Sequence, residues 1–158
     1  MVRSGFQAKD VMELTGLTYR QIDHWVKSEI VTPRETVQKG SRTIRIFNFE
    51  NLVVIRAAMK LLDFGLGFPV VKKAAAWLQG AFSNGSKGQF LFVAEGDNLK
   101  FLSNDPAEIM ELMRGKCVVT IDLGEIISQL KKDIETVRER KNKGSGQRSY
   151  ATPNLESA

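Results

Sequence analysis

The chain holds one cysteine, Cys117, one histidine, His24, and four prolines in 158 residues. A lone cysteine leaves no internal disulfide framework to build. One thiol and one imidazole far apart in sequence cannot cage zinc, which takes about four such ligands. No metal site and no cofactor are therefore expected, and Cys117, inside the apolar run KCVVTI, reads as a buried structural thiol. No apolar run approaches membrane-spanning length, and the N-terminus lacks the basic-then-apolar order of a secretory signal. A reducing cytoplasm is the expected location. Also missing are a Gly-rich phosphate loop, a placeable pair of carboxylates and a serine with a histidine in catalytic arrangement. An enzyme is not expected.

What is present is positive charge, unevenly placed. The formal net charge is +5, and residues 1–78 carry all of it, with 12 Lys/Arg against 7 Asp/Glu, while residues 79–158 hold 11 of each. A polyanion partner suits the first half, because cations that neutralise phosphates release condensed counterions. Nucleic acid is one such polyanion; on double-stranded DNA the protein would sit on the nucleoid.

The patterning of that half is specific. FQAKDVMELTG spaces Ala8, Val11 and Leu14 at threes and then breaks at Thr15-Gly16, which predicts a short helix and a tight turn. Thr18 and Gln21 form a capping box that starts a second helix over 18–29. Its periodicity puts Tyr19, Ile22, Trp25, Val26 and Ile30 on one side and Arg20, Asp23, His24 and Lys27 on the other. Core packing is the reading for Trp25; for Trp77, packing and a ligand wall remain open. Pro33, then Gly40-Ser41, then the alternating Thr43-Ile44-Arg45-Ile46-Phe47 predict a β-hairpin wing over 34–47, bearing Arg34, Lys39, Arg42 and Arg45 against Glu35 alone. Asn48 caps a third helix with Leu52, Ile55, Met59 and Leu62 as its apolar stripe, Gly65 ends it, and a fourth helix runs from Phe68 to Gln79.

Residues 79–89 are rich in Gly and Ser and read as a linker. Residues 90–121 read as a small ββαβ module with charge near zero or negative, suited to a dimer contact, a partner protein or a small effector. Residues 122–142 form a helix in which Leu123, Ile127, Leu130, Ile134 and Val137 follow 4,3,4,3 spacing, a coiled-coil seam left over for dimerisation. Residues 143–158 read as a disordered tail. The fold class is α+β: a winged helix-turn-helix head over 5–78, the small module and the dimerisation helix.

The order helix, turn, capped helix, basic wing, helix, helix resembles the MerR family of bacterial transcription regulators over residues 5–78. The residues that carry it are LTGLTYRQIDHW, Pro33, Arg45-Ile46-Phe47 and LLDFGLGFPVVKKA, in a TYRQIDHW-type sub-branch. The resemblance implies that the second helix enters the major groove, with Thr18, Tyr19, Arg20 and His24 at base or phosphate and Arg45 at the backbone; Gln21 joins that DNA-binding set, Lys27 near the helix end suits phosphate, and Lys39 and Arg42 of the basic hairpin suit the backbone by their charge. Arg20 is the first candidate base reader, since a guanidinium fork fits guanine O6 and N7. Asp23 and His24 depart from the usual Arg and Tyr, and Asp23 is expected to pair with Arg20 or Lys27. Phe47 replaces a usual Tyr and lacks its hydroxyl. With too few thiols, the metal-sensing branches are excluded. The resemblance further implies a homodimer on a palindromic operator, with RNA polymerase as a further partner. Two rivals stay open: a chromosome-organising or phage-type architectural DNA-binding factor without promoter regulation, and an adaptor whose head has lost DNA affinity.

Overall fold

In the computed structural model, residues 5–83, 89–95, 98–102 and 117–150 are described, with side chains over 5–81 and 121–143. Helices α1 (Ala8–Thr15) and α2 (Tyr19–Lys27) come first, followed by the hairpin β1 (Glu35–Lys39) and β2 (Arg42–Ile46). Then come α3 (Phe49–Asp63), α4 (Phe68–Ser83), strands β3 (Gln89–Glu95), β4 (Asn98–Leu102) and β5 (Cys117–Asp122), and the long helix α5 (Leu123–Tyr150).

Local chemistry explains the first turn. Gly16 sits at φ 83, ψ 0, a left-handed conformation that strains other residues, and its N–H donates to the Met12 carbonyl at 2.9 Å. Thr15 Oγ1 donates to the Val11 carbonyl and accepts from the Leu17 N–H, so the chain reverses within three residues. α2 then starts as its capping box predicts: Thr18 Oγ1 accepts from the Gln21 N–H at 3.1 Å, and the Thr18 N–H donates to Gln21 Oε1 at 2.9 Å. α2 ends in a Schellman motif, with Glu29 at φ 65 and the Ile30 N–H donating to the Trp25 carbonyl. The apolar faces of the two helices meet, burying Val11, Leu14, Ile22 and Trp25. Trp25 is a core residue, as its position on the helix predicts; Trp77 is partly buried against the same core.

α3 is buried almost all round, because it lies between the other helices: Leu52, Val53, Val54, Ile55, Ala57, Ala58 and Leu61 are all in the core, whereas Met59 and Leu62 are only partly covered. One flank meets α4 and another meets α5. β3 pairs antiparallel with both β4 and β5, giving a sheet of order β4-β3-β5. The helix expected between β4 and β5 lies outside the described residues, as does the side chain of Cys117.

Three boundaries or packings differ from the sequence reading. The linker was expected from residue 79, but α4 continues to Ser83, since Ala81 is buried and rewards the extra turn. The tail was expected from residue 143, but α5 runs to Tyr150; extending an existing helix adds one hydrogen bond per residue fixed. Most consequential is the seam. Leu123, Leu130 and Ile134 are buried in the chain's own core, with Ile127 and Val137 packed against it. In this fold α3 and α1 of the same chain cover the stripe that the sequence offered to a second copy.

Ion pairs fix α5 in that position. One Arg56 nitrogen of α3 donates both to the Leu14 carbonyl of α1, at 2.7 Å, and to Asp133 of α5, at 2.6 Å. Lys60 faces Glu125 at 3.6 Å, Arg140 faces Glu13 at 3.5 Å, and Lys141 faces Asp10 at 3.1 Å. Head and C-terminal helix thus share one core and one set of charges.

Candidate nucleic-acid interface

α2 turns its inner face into the core through Ile22 and Trp25 and leaves Thr18, Tyr19, Arg20, Gln21, His24 and Lys27 exposed. Tyr19, on the apolar side by periodicity, lies at the end of that side and is 55% exposed. Arg20 has no ion pair among the described residues. The Gln21 carbonyl oxygen is taken by the cap, which leaves its amide NH₂ as the group able to face outward.

Asp23 is a junction. Its Oδ2 lies 2.9 Å from the Lys27 ammonium and its Oδ1 lies 2.9 Å from the Arg45 guanidinium. First Lys27 and then Arg45 hold its carboxyl below the ordinary carboxylate range through hydrogen bonds. The pairing with Lys27 is as expected from the sequence; the pairing with Arg20 is not made, and Arg45 takes that place. Arg45 is therefore engaged within the protein, its side chain only 17% exposed, where the sequence reading aimed it at the DNA backbone. It ties the wing to the outward face of α2. Exposed charge stands at the hairpin tip, where Lys39 and Arg42 are paired in register across the Gly40-Ser41 turn.

Two other sites hold the pieces in register. The His24 ring stacks on Phe68 at the start of α4, with centroids 5.2 Å apart and planes at 29°. That contact occupies one face of an imidazole that the resemblance assigned to DNA. Phe47 is fully buried, and its backbone exchanges two 2.7 Å hydrogen bonds with Phe6, so the hydroxyl it lacks would have been inside the core.

Sequence reasoning missed Asn51, the one buried polar residue among the described ones. Its Oδ1 accepts from the N–H groups of Arg34 and Asn48, and its Nδ2 donates to the Thr32 carbonyl at 2.9 Å. One amide thus fastens the entrance of the wing to the first turn of α3. The spacing Asn48-x-x-Asn51 was a usable signal, a capping box with Asn in both roles. Gln79 was missed too: from α4 its amide donates to the Ile30 carbonyl at 3.0 Å, bracing the end of α2.

A helix pair joined by a left-handed glycine turn, with a basic two-stranded hairpin bound to the exposed face of the second helix, defines a winged helix-turn-helix. Residues 6–76 match the family model described as the MerR HTH family regulatory protein. The match spans 71 of the chain's 158 residues, so the likeness to that family is a likeness of the head. Over 75 residues the chain is 28% identical to proteins described as HTH-type transcriptional regulators from Mycobacterium bovis and Mycobacterium tuberculosis. The match takes in 48% of this chain but only 33% of each relative, so the chain spans about a third of the length of the curated relatives it matches. No helix among the described residues is long and apolar enough to cross a membrane.

Proposed function

We propose that this protein binds double-stranded DNA as a homodimeric transcription regulator of the MerR type, with residues 18–29 in the major groove and the wing, residues 34–47, on the backbone. The observation that carries this reading is Arg20: exposed and outside any ion pair among the described residues, it stands on a helix whose cap, inner face and far end are all fixed. A guanidinium held in that way loses little freedom on meeting a guanine edge. Lys39 and Arg42 at the hairpin tip are the phosphate contacts, and Arg45 acts by positioning the wing. A single head reads only a half-site, so a palindromic operator and a second copy belong to the proposal, with RNA polymerase as the further partner where transcription is controlled. Because the inward face of α5 is covered in cis, the contact between copies uses other surface, and Ile134→Asp would damage the core rather than probe dimerisation.

Salt-titrated binding to a duplex selected from a random pool, beside a scrambled duplex, tests the reading. Arg20→Ala should remove the preference between them, a cost of about 1–3 kcal/mol at one base pair. Arg42→Ala should weaken both duplexes and flatten the salt dependence by about one unit. Wild-type protein with no preference for the selected duplex would overturn sequence-specific regulation, and a monomeric light-scattering mass on the full duplex would overturn the dimer.

A further inference from the structure

Two adjoining cavities lie where α5 crosses the N-terminal segment and the start of α3. The larger, of about 420 Å³, is lined by Phe6, Phe49, Lys131, Ile134, Glu135 and Arg138. The smaller, of about 210 Å³, shares Phe6, Ile134 and Arg138 with it. Volumes of this size suit a small organic molecule. We propose that this double cavity is a binding site for a small monoanion with a flat apolar body, an aryl carboxylate in chemical class.

The lining argues for both halves of that description. Phe6 has its backbone held by two hydrogen bonds to Phe47, and Phe49 opens α3 directly after the Asn48 cap; both rings pack partly buried against the core. Ile134 supplies the aliphatic floor. Two half-buried rings and a branched aliphatic present a surface that a flat apolar body would cover. The charged groups decide the head. Lys131, Ile134 and Arg138 lie at i, i+3 and i+7 on one face of α5, with Glu135 as the opposing charge of the larger cavity. In the smaller cavity Asp10 is already neutralised by Lys141 at 3.1 Å. Arg138 lines both cavities and, among the described residues, has no ion pair. An exposed guanidinium beside two rings presents a bidentate fork to a carboxylate whose body rests on those rings. The site does not depend on DNA binding, and direct binding to the free protein reads it.

The test is a titration of the full chain with 2-naphthoate, followed by its fluorescence and by calorimetry, with naphthalene-2-carboxamide as a neutral probe of the same shape. Naphthoate should bind saturably, one molecule per chain, and at least about fivefold tighter than the carboxamide. Arg138→Gln should abolish that difference and leave the carboxamide unchanged, and Lys132→Gln, an exposed neighbour outside the lining, should change neither. Amide shifts in a nitrogen-15 spectrum should centre on Phe6, Phe49 and Ile134. Absence of saturable naphthoate binding at millimolar concentration, equal binding by wild type and Arg138→Gln with unchanged thermal unfolding, or shifts centred elsewhere would each overturn the proposal.

Discussion

Arg56 makes the sharpest test of how the head and α5 are joined, because one of its nitrogens serves two partners. Arg56→Met keeps the aliphatic stem and removes the charge. It forfeits the 2.7 Å bond to the Leu14 carbonyl and the 2.6 Å bond to Asp133. A bond from a charged donor to a partly buried carbonyl contributes about 1.5 kcal/mol. The Asp133 side chain is 38% exposed, so solvent screening keeps that pair below about 1 kcal/mol. Arg56→Met should therefore cost about 2 kcal/mol, Asp133→Asn under about 1, and the double mutant no more than Arg56→Met alone. With a urea m-value of about 1.5 kcal/mol/M, the Arg56→Met midpoint falls by about 1.3 M. Acid gives an independent arm. Arg56 holds the Asp133 carboxyl below its ordinary range, so its contribution is complete above the unfolded value near pH 4 and is lost as pH falls through the folded value. The coupling measured by the double-mutant cycle should vanish along the same course. Additive single mutants at neutral pH would mean that the ion pair does not form, and Arg56→Met costing no more than Asp133→Asn would mean that the Leu14 bond does not.

Asp23→Asn removes a negative charge from the exposed face of α2 and releases Lys27 and Arg45; affinity for any duplex should rise at low salt and the salt dependence should steepen by about one to two units, read by fluorescence anisotropy across a salt series. Lower affinity with a shallower slope would show that losing the Asp23–Arg45 tie, which positions the wing, outweighs the removal of the charge. Glu29→Gly relieves a left-handed backbone at the end of α2 and should raise stability by about 1 kcal/mol less the entropy of a new glycine, seen as a higher melting temperature with unchanged DNA affinity.

The parts of the fold written in short stretches were legible in the sequence. Thr18 and Gln21, Thr15-Gly16, Gly40-Ser41 and Asn48 act on neighbours within four residues, and each is found in the role its chemistry assigns. What was hidden depends on partners distant in the chain. A 4,3,4,3 stripe looks the same whether it faces a second copy or an α3 some seventy residues earlier, so its spacing alone did not announce the cover that α3 gives it. Gly80 and Ser83 carry turn chemistry, yet the burial of Ala81 keeps them helical. In the same way, nothing local to Arg45 announces Asp23, twenty-two positions away, so a cation on a basic hairpin was read as free for phosphate.

The packing of α5 across α1 and α3 also sets an order of events in synthesis. The helices and wing of the head are complete by residue 83, while the strand of contacts from Asp133 to Lys141 that closes its flank is made last. At about 5–20 residues per second, some 60 residues of translation put several seconds between the two. For that interval the newborn head presents an open apolar side with Asp10 and Glu13 unneutralised beside it, and its solubility rests on whatever shields that side until its own C-terminal helix arrives.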